Sequence, residues 1–313
     1  MNKQITPLKA DLMLFVVAFF WGSSYVVSKG SIDMVEPMQV VFFRFSIASV
    51  LSLIFFGKHL KTSSKEEIKA GFVLGTLLSL GLFFSLNGIK LTTVSKNSFI
   101  ISTNVVIVPF LYWAISKKKP SAMSIAAVFL MAVGLGFLTL DFSGDFKVNL
   151  GDFISLGCIL FYASHVVLTD IYSKKHNPVS VNTFAMITAS LLSALFLLLT
   201  GDFIIRIPGS VMGDMIFLAV FPTFICYTMQ IKAQRFTIAT HAAIIMSLES
   251  VFATLLAVII LKENINMQMV IGFIFIFFSV LTSELGDTVL KYIKVHNKLE
   301  TNIEIISAGE TKQ

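Results

Sequence analysis

Charged residues make up only 13% of the 313-residue chain, and cysteine occurs twice, at Cys158 and Cys226. A soluble domain usually carries about 25% charge. Both cysteines fall inside apolar runs, so neither a disulfide framework nor a thiolate metal site is expected. No polar stretch is long enough for a sizeable soluble domain, which excludes a secreted enzyme, a nucleotide-binding cassette subunit and a disulfide scaffold. Three chemical signatures are missing as well. The chain has no Gly-x-x-x-x-Gly-Lys-[Ser/Thr] phosphate loop, no His-Glu-x-x-His zinc motif and no Gly-x-Ser-x-Gly nucleophile elbow. Neither a cofactor, a metal site nor a catalytic residue is therefore expected. The first apolar run is too long for a signal-peptide core and lacks an Ala-x-Ala site, so it is kept in the fold.

Apolar residues dominate what remains: 56% of the chain is hydrophobic and the mean hydropathy is +0.85. Apolar runs lie at about 11–30, 37–56, 70–89, 95–116, 121–140, 151–171, 179–199, 213–232, 237–261 and 267–285. Each is long enough to cross a hydrocarbon core of about 30 Å, and alternating strand patterns are absent. The expected fold is an all-α integral membrane protein of ten transmembrane helices. The net charge of +6 does not point to a nucleic-acid partner here, because the basic residues set orientation. With a cytoplasmic N-terminus, 17 Lys and Arg fall inside, among them Lys3, Lys9, Lys58, Lys117, Lys118, Lys119, Lys174 and Lys175. Six fall outside: Lys29, Lys90, Lys96, Lys147, Arg206 and Lys262. Both termini are thus expected in the cytoplasm, with the protein multi-pass in the plasma membrane and residues 288–313 a polar tail.

The chain also repeats itself. Phe20-Trp21-Gly22-Ser23-Ser24-Tyr25 in the first run matches Phe161-Tyr162-Ala163-Ser164-His165-Val166 in the sixth at an offset of 141, which Pro37 and Pro178 share. The fourth and ninth runs align at about 145. Residues 1–145 and 146–287 therefore read as two five-helix repeats. Five is odd, so the second copy enters the membrane upside down, an arrangement that places a binding site near the midplane between the halves.

From residue 226 the chain runs Cys226-Tyr227-Thr228-Met229-Gln230, then Thr240-His241-Ala242-Ala243, then Leu248-Glu249-Ser250-Val251-Phe252, then Leu261-Lys262-Glu263. With Asn104-Val105-Val106-Ile107-Val108-Pro109 and Gly134-Leu135-Gly136-Phe137 in the first half, this resembles the EamA family of the drug/metabolite transporter superfamily. The resemblance covers about residues 10–287. It implies two inverted five-helix repeats and movement of small metabolites, commonly amino acids or drug-like compounds, most often outward. Ser250 stands where the family usually has Pro, which predicts a milder break in the ninth span. Lys117, Lys118 and Lys119 replace the family's acidic residue after the fourth span, whereas Glu263 keeps its counterpart.

Polar residues inside apolar spans are costly, so they are the candidates for a site. Glu249 lies near the middle of the ninth span, where an acidic group costs about 2.5–3.5 kcal/mol. It either binds a substrate amine, carries a coupling proton, or fixes helix packing. Arg44 is the one cation deep in a run; its planar fork suits a carboxylate, and an ion pair with Glu249 or snorkelling is the alternative. Asn104, the repeat partner of Glu249, is polar at similar depth. Trp21 and Tyr162 are repeat-related aromatics, with Ser24 and His165 one turn further along; together they form facing walls of a site or ordinary packing. Tyr227, Gln230 and Asn87 complete the candidate substrate-binding set, while Gly71-x-x-x-Gly75 and Gly134-x-Gly136 suit close helix packing.

These readings converge on a secondary transporter working by alternating access. Export of amino acids or related compounds is expected from the family habit, with Glu249 as proton carrier. Uptake of an amino acid, vitamin or cationic metabolite stands as the alternative, and an intramembrane enzyme or a channel fits the pattern less well. The expected partners are a small-molecule substrate and the lipid bilayer, with the chain a monomer or a homodimer.

Overall fold

A computed structural model describes residues 6–139, 150–201, 207–262, 267–268, 270–283 and 285–286. Its elements are helices throughout. They are α1 (Pro7–Ser31), α2 (Pro37–Leu60), α3 (Lys65–Leu91), α4 (Val94–Ser102), α5 (Asn104–Ser116), α6 (Ala122–Thr139), α7 (Leu150–Lys175) and α8 (Pro178–Thr200). After a short 3₁₀ turn follow α9 (Met212–Leu218), a π-helical turn (Ala219–Ile225), α10 (Cys226–Gln234), α11 (Ala239–Met246) and α12 (Glu249–Leu261). A last helix, α13 (Val270–Ser283), closes the described chain. Eight helical stretches, with α4 and α5, α9 through α10, and α11 and α12 each taken as one, are long and apolar enough to cross a membrane; α6 and α13 are shorter apolar helices.

Local chemistry starts these helices where the sequence supplies it. Pro7, Pro37 and Pro178 each open a helix at a position whose N–H has no helical acceptor anyway. Ser64 and Glu67 form a reciprocal capping box at the start of α3, with both bonds at 3.2 Å. Thr93 caps α4 by accepting from the Lys96 N–H at 3.2 Å. Lys117 and Lys262, 145 residues apart, end α5 and α12 in the same left-handed conformation, with φ of 60° and 58°.

Many large apolar side chains, such as Ile54, Leu160, Leu199 and Ile259, are exposed on the outer surface, as lipid-facing residues must be. The inner faces bury two apolar clusters, one around Phe45, Leu78 and Met186 and one around Leu14, Met131 and Ile244. Helices from the early and the late part of the chain pack against each other. Helix α1 packs on α12 and α10, while α7 packs on α4, α5 and α3. Helices α2 and α8 pack directly against each other. Small residues set the closest approaches, as the Gly71-x-x-x-Gly75 spacing predicted: this stretch lies against Val181, Phe184 and Ala185 of α8. Gly22 has the same role where α1 meets α12. A Cβ there would sit 2.6 Å from the Glu249 carbonyl oxygen and 2.9 Å from the Ala253 nitrogen.

Three features depart from continuous spans. The fourth is interrupted at Thr103, which separates α4 from α5, and the ninth at Ser247 and Leu248, which separate α11 from α12. The ninth span breaks without the family's proline. Ser247 Oγ donates back to the Ala243 carbonyl at 2.8 Å, a bond that bends helices, and the chain recovers through a Ser250 N–H to Ser247 carbonyl bond of 3.2 Å. In the eighth span the Ala219–Ile225 turn widens around Pro222. The Thr223 hydroxyl donates to the Leu218 carbonyl at 2.7 Å, filling an acceptor that the widened turn leaves. The expected tail at 288–313, Lys147, Arg206 and Glu263 lie outside the described residues.

Candidate functional site

The breaks open onto one cavity, and the widened turn holds two of its lining side chains, Trp21 and Arg44, by hydrogen bonds. Helix α1 contributes Trp21, Ser24, Tyr25 and Ser28 to its wall; α2 contributes Arg44; α3 contributes Leu82, Ser85 and Leu86. From the other side come Tyr162, His165 and Val166 of α7, Tyr227 and Gln230 of α10, and Ala243 and Met246 of α11. The helix breaks deliver Asn104, Ser247 and Glu249. Asn104 and Glu249 occupy the first position of α5 and of α12, the same place in two broken spans. Nine of the ten sequence candidates thus meet in one place. Asn87 does not: its amide donates to the Phe83 carbonyl of its own helix at 2.8 Å, outside the cavity wall. A polar residue near a helix end can satisfy itself locally, which its sequence position does not reveal.

Glu249 is 6% exposed. Its Oε1 accepts from the Tyr25 hydroxyl at 3.3 Å and from Ser102 Oγ at 3.4 Å. Ser102 is also in close contact with Ser250 Oγ, which donates onward to the Ser98 carbonyl at 2.9 Å. The two broken spans are therefore laced together beside the carboxyl. Neither Tyr25 nor these serines stood out in the sequence, because a serine in an apolar span is usually satisfied by its own helix and gives no sign of a distant partner.

Arg44 is 3% exposed. Its Nε donates to Thr223 Oγ1 at 3.0 Å, so the residue freed by the widened turn orients the guanidinium. No ion pair joins Arg44 to Glu249 among the described residues. The two charges share a cavity without neutralising each other in direct contact, and the alternative of a structural Arg44–Glu249 pair is not what the structure adopts.

Aromatic rings form the walls between these charges. Trp21 Nε1 donates to the Pro222 carbonyl at 2.9 Å, so the π-helical turn fixes the indole. Tyr227 lies between Trp21, at 5.3 Å between ring centroids, and His165, at 5.8 Å in an edge arrangement. His165 Nε2 is 3.4 Å from Thr169 Oγ1 one turn along. Tyr162 lies over Gly81 of α3, where a Cβ would be 2.8 Å from the ring; only glycine lets the ring reach the cavity there. Ser24 Oγ returns to the Trp21 carbonyl at 2.8 Å.

Both ends of the bundle carry ties onto the segments at or just before the starts of the broken spans. At the end where α1 finishes, Lys29 Nζ donates to the Ile89 and Thr92 carbonyls at 2.7 and 2.9 Å, and Thr92 Oγ1 donates to Asp152 at 2.7 Å. At the opposite end, Lys174 Nζ donates to the Thr237 carbonyl at 2.8 Å, and Asp11 meets His241 Nε2 at 3.2 Å. Thr92 and Thr237 are 145 residues apart, and Asp11 and Asp152 are 141 apart.

Comparison with known proteins agrees with this architecture. A family model described as the EamA-like transporter family matches residues 8–140 and again 149–284. An uncharacterized transporter of Archaeoglobus fulgidus is 33% identical over 259 residues, covering 83% of this chain and 80% of its own. The uncharacterized transporter YyaM of Bacillus subtilis is 22% identical over 288 residues, covering 88% of this chain and 93% of its own. A solved crystal structure superposes with a TM-score of 0.75 at 16% identity, covering 90% of this chain and 98% of the other. That last likeness concerns the fold alone.

Proposed function

This chain belongs to the EamA-like transporter family, and on that premise we propose that it is a proton-coupled secondary transporter exporting an amino acid or a related small compound. It is a multi-pass membrane protein with a transporter's relatives. The observation that carries the finer reading is the cavity itself, where a buried carboxyl and a buried guanidinium face the same space without pairing. A zwitterion complements such a pair: its ammonium meets Glu249 and its carboxylate meets Arg44, each as a charge-assisted hydrogen bond. The aromatic walls contributed by α1, α7 and α10 suit an apolar or planar remainder.

The mechanism follows from the layout. We take the halves 1–145 and 146–287 as inverted repeats, a reading supported by the contacts between early and late helices and by the equivalent ends of α5 and α12. The repeats rock about the cavity, so that the ties at one end release while those at the other hold. Glu249 carries a proton on one leg of the cycle and meets the substrate ammonium on the other; it is a binding and coupling residue, since no bond of the substrate changes. The excess of Lys and Arg on one side supports cytoplasmic termini. Purified protein in liposomes loaded with single unlabelled amino acids tests this. Labelled amino acid is expected to accumulate by exchange with at least one loaded compound, and no exchange across the twenty would contradict the assignment.

A further inference from the structure

One lining residue has no partner among the described residues. Gln230 is 1% exposed, and among those residues neither its amide nitrogen nor its carbonyl oxygen meets a hydrogen-bond partner. Among the described residues it is the one side chain with two buried polar atoms left unpartnered. Buried amides are almost always bonded, because burying one unpaired is costly. Its neighbours Thr228 and Gln234 on α10 are each bonded at least once, although the Gln234 carbonyl oxygen is also left without a partner among the described residues. Thr228 accepts from Asn182 at 3.2 Å, and the Gln234 amide donates to the Val166 carbonyl at 3.0 Å. Gln230 instead faces the cavity, one turn beyond Tyr227, whose ring lies beside Trp21 and His165.

We propose that Gln230 reads the hydrogen-bonding edge of the substrate, a planar group presenting a donor next to an acceptor, as carboxamides, ureido groups and nucleobases do. The inference rests on reading the cavity as the substrate site. A carboxamide offers an N–H and a carbonyl oxygen side by side in one plane, so its full complement is a group that returns both bonds at once. A carboxylate satisfies the N–H and repels the oxygen, an ammonium satisfies only the oxygen, and an alkyl group satisfies neither. The neighbouring rings supply flat surfaces for the same planar group. A site built this way rejects a shape-matched ligand that lacks the edge, since the buried amide then stays unpaired.

The test uses the full chain in lipid nanodiscs and two matched pairs of probes: L-glutamine with L-norleucine, and uracil with toluene. Within at least one pair the edge-bearing compound is expected to bind about tenfold more tightly, the factor that one hydrogen bond supplies. Which pair responds tells an amide side chain from a base. Gln230→Met, which keeps the length but has neither an N–H donor nor a carbonyl acceptor, removes the discrimination. Gln230→Met also raises the melting temperature of the ligand-free protein, because it replaces an unpaired buried amide by an apolar group of similar length; a structural glutamine gives the reverse. Equal binding within both pairs, no binding by either edge-bearing compound, discrimination that survives Gln230→Met, or a lowered melting temperature overturns the inference. Amino-acid exchange that persists with any of these results leaves the transporter reading standing, whereas loss of all exchange removes that reading separately.

Discussion

Arg44 and Glu249 are each buried at a cost that no contact between them offsets. Breaking a buried pair is destabilising, but removing a charge that is already unpaired relieves the protein. Arg44→Met is therefore expected to raise the melting temperature while lowering substrate exchange by tenfold or more on the order of one charge-assisted bond. A lower melting temperature with unchanged exchange would make Arg44 a packing residue. Trp21→Phe removes the bond to the Pro222 carbonyl and part of the indole's packing against Tyr227, an expected loss of about 1 kcal/mol for the bond with a cavity cost added to it, measurable as a lowered thermal midpoint. At this scale the sequence was informative about charged and aromatic candidates, because an ionisable or large amphipathic side chain in an apolar span needs a reason to be there. It was silent about their partners. Tyr25 reaches Glu249 across 224 residues of sequence, and Trp21 bonds a backbone carbonyl, a group that every residue carries. Gln230 was a candidate by position, yet the absence of any partner for it is visible only in three dimensions.

The helical elements follow their apolar runs closely, and the interruptions do not. Thr103 and Ser247 are ordinary residues for a helix interior, and they become break points because serine and threonine hydroxyls compete for helix carbonyls while the crossing spans are laced through Ser102 and Ser250. The π-helical turn at Ala219–Ile225 had Pro222 as a signal, but Pro109 sits inside α5 without widening it. Close crossing of α1 and α12 is what brings Tyr25 to Glu249. Gly22→Leu drives a side chain into the α12 backbone, so it is expected to cost about 1–3 kcal/mol or more and to abolish exchange; a fully stable, active Gly22→Leu protein would refute that packing. The ties at the two ends make an opposed pair of predictions. Asp152→Ala loosens the end where α1 finishes and His241→Ala the end where α1 begins. In a chain with Cys158 and Cys226 replaced, a cysteine at Ser28 in the cavity is expected to become faster to label from opposite sides of a sealed vesicle in the two variants. Faster labelling from the same side in both would contradict the opposed-gate reading.

At the scale of the whole molecule, the lipid-facing exterior and the two buried apolar clusters follow from the apolar runs of the sequence. The offset of about 145 between the fourth and ninth runs is where Asn104 and Glu249 lie, and the two residues open α5 and α12 alike. Their chemical difference matters as much. An amide opens α5 where a carboxyl opens α12, and the proposed proton coupling rests on that difference. The most direct measurement replaces that carboxyl by its neutral isostere. In proteoliposomes with an imposed pH gradient, wild-type protein is expected to accumulate labelled substrate against its gradient, while Glu249→Gln retains exchange at equal concentrations and loses the accumulation. A Glu249→Gln protein that still accumulates substrate with the same pH dependence would contradict the account.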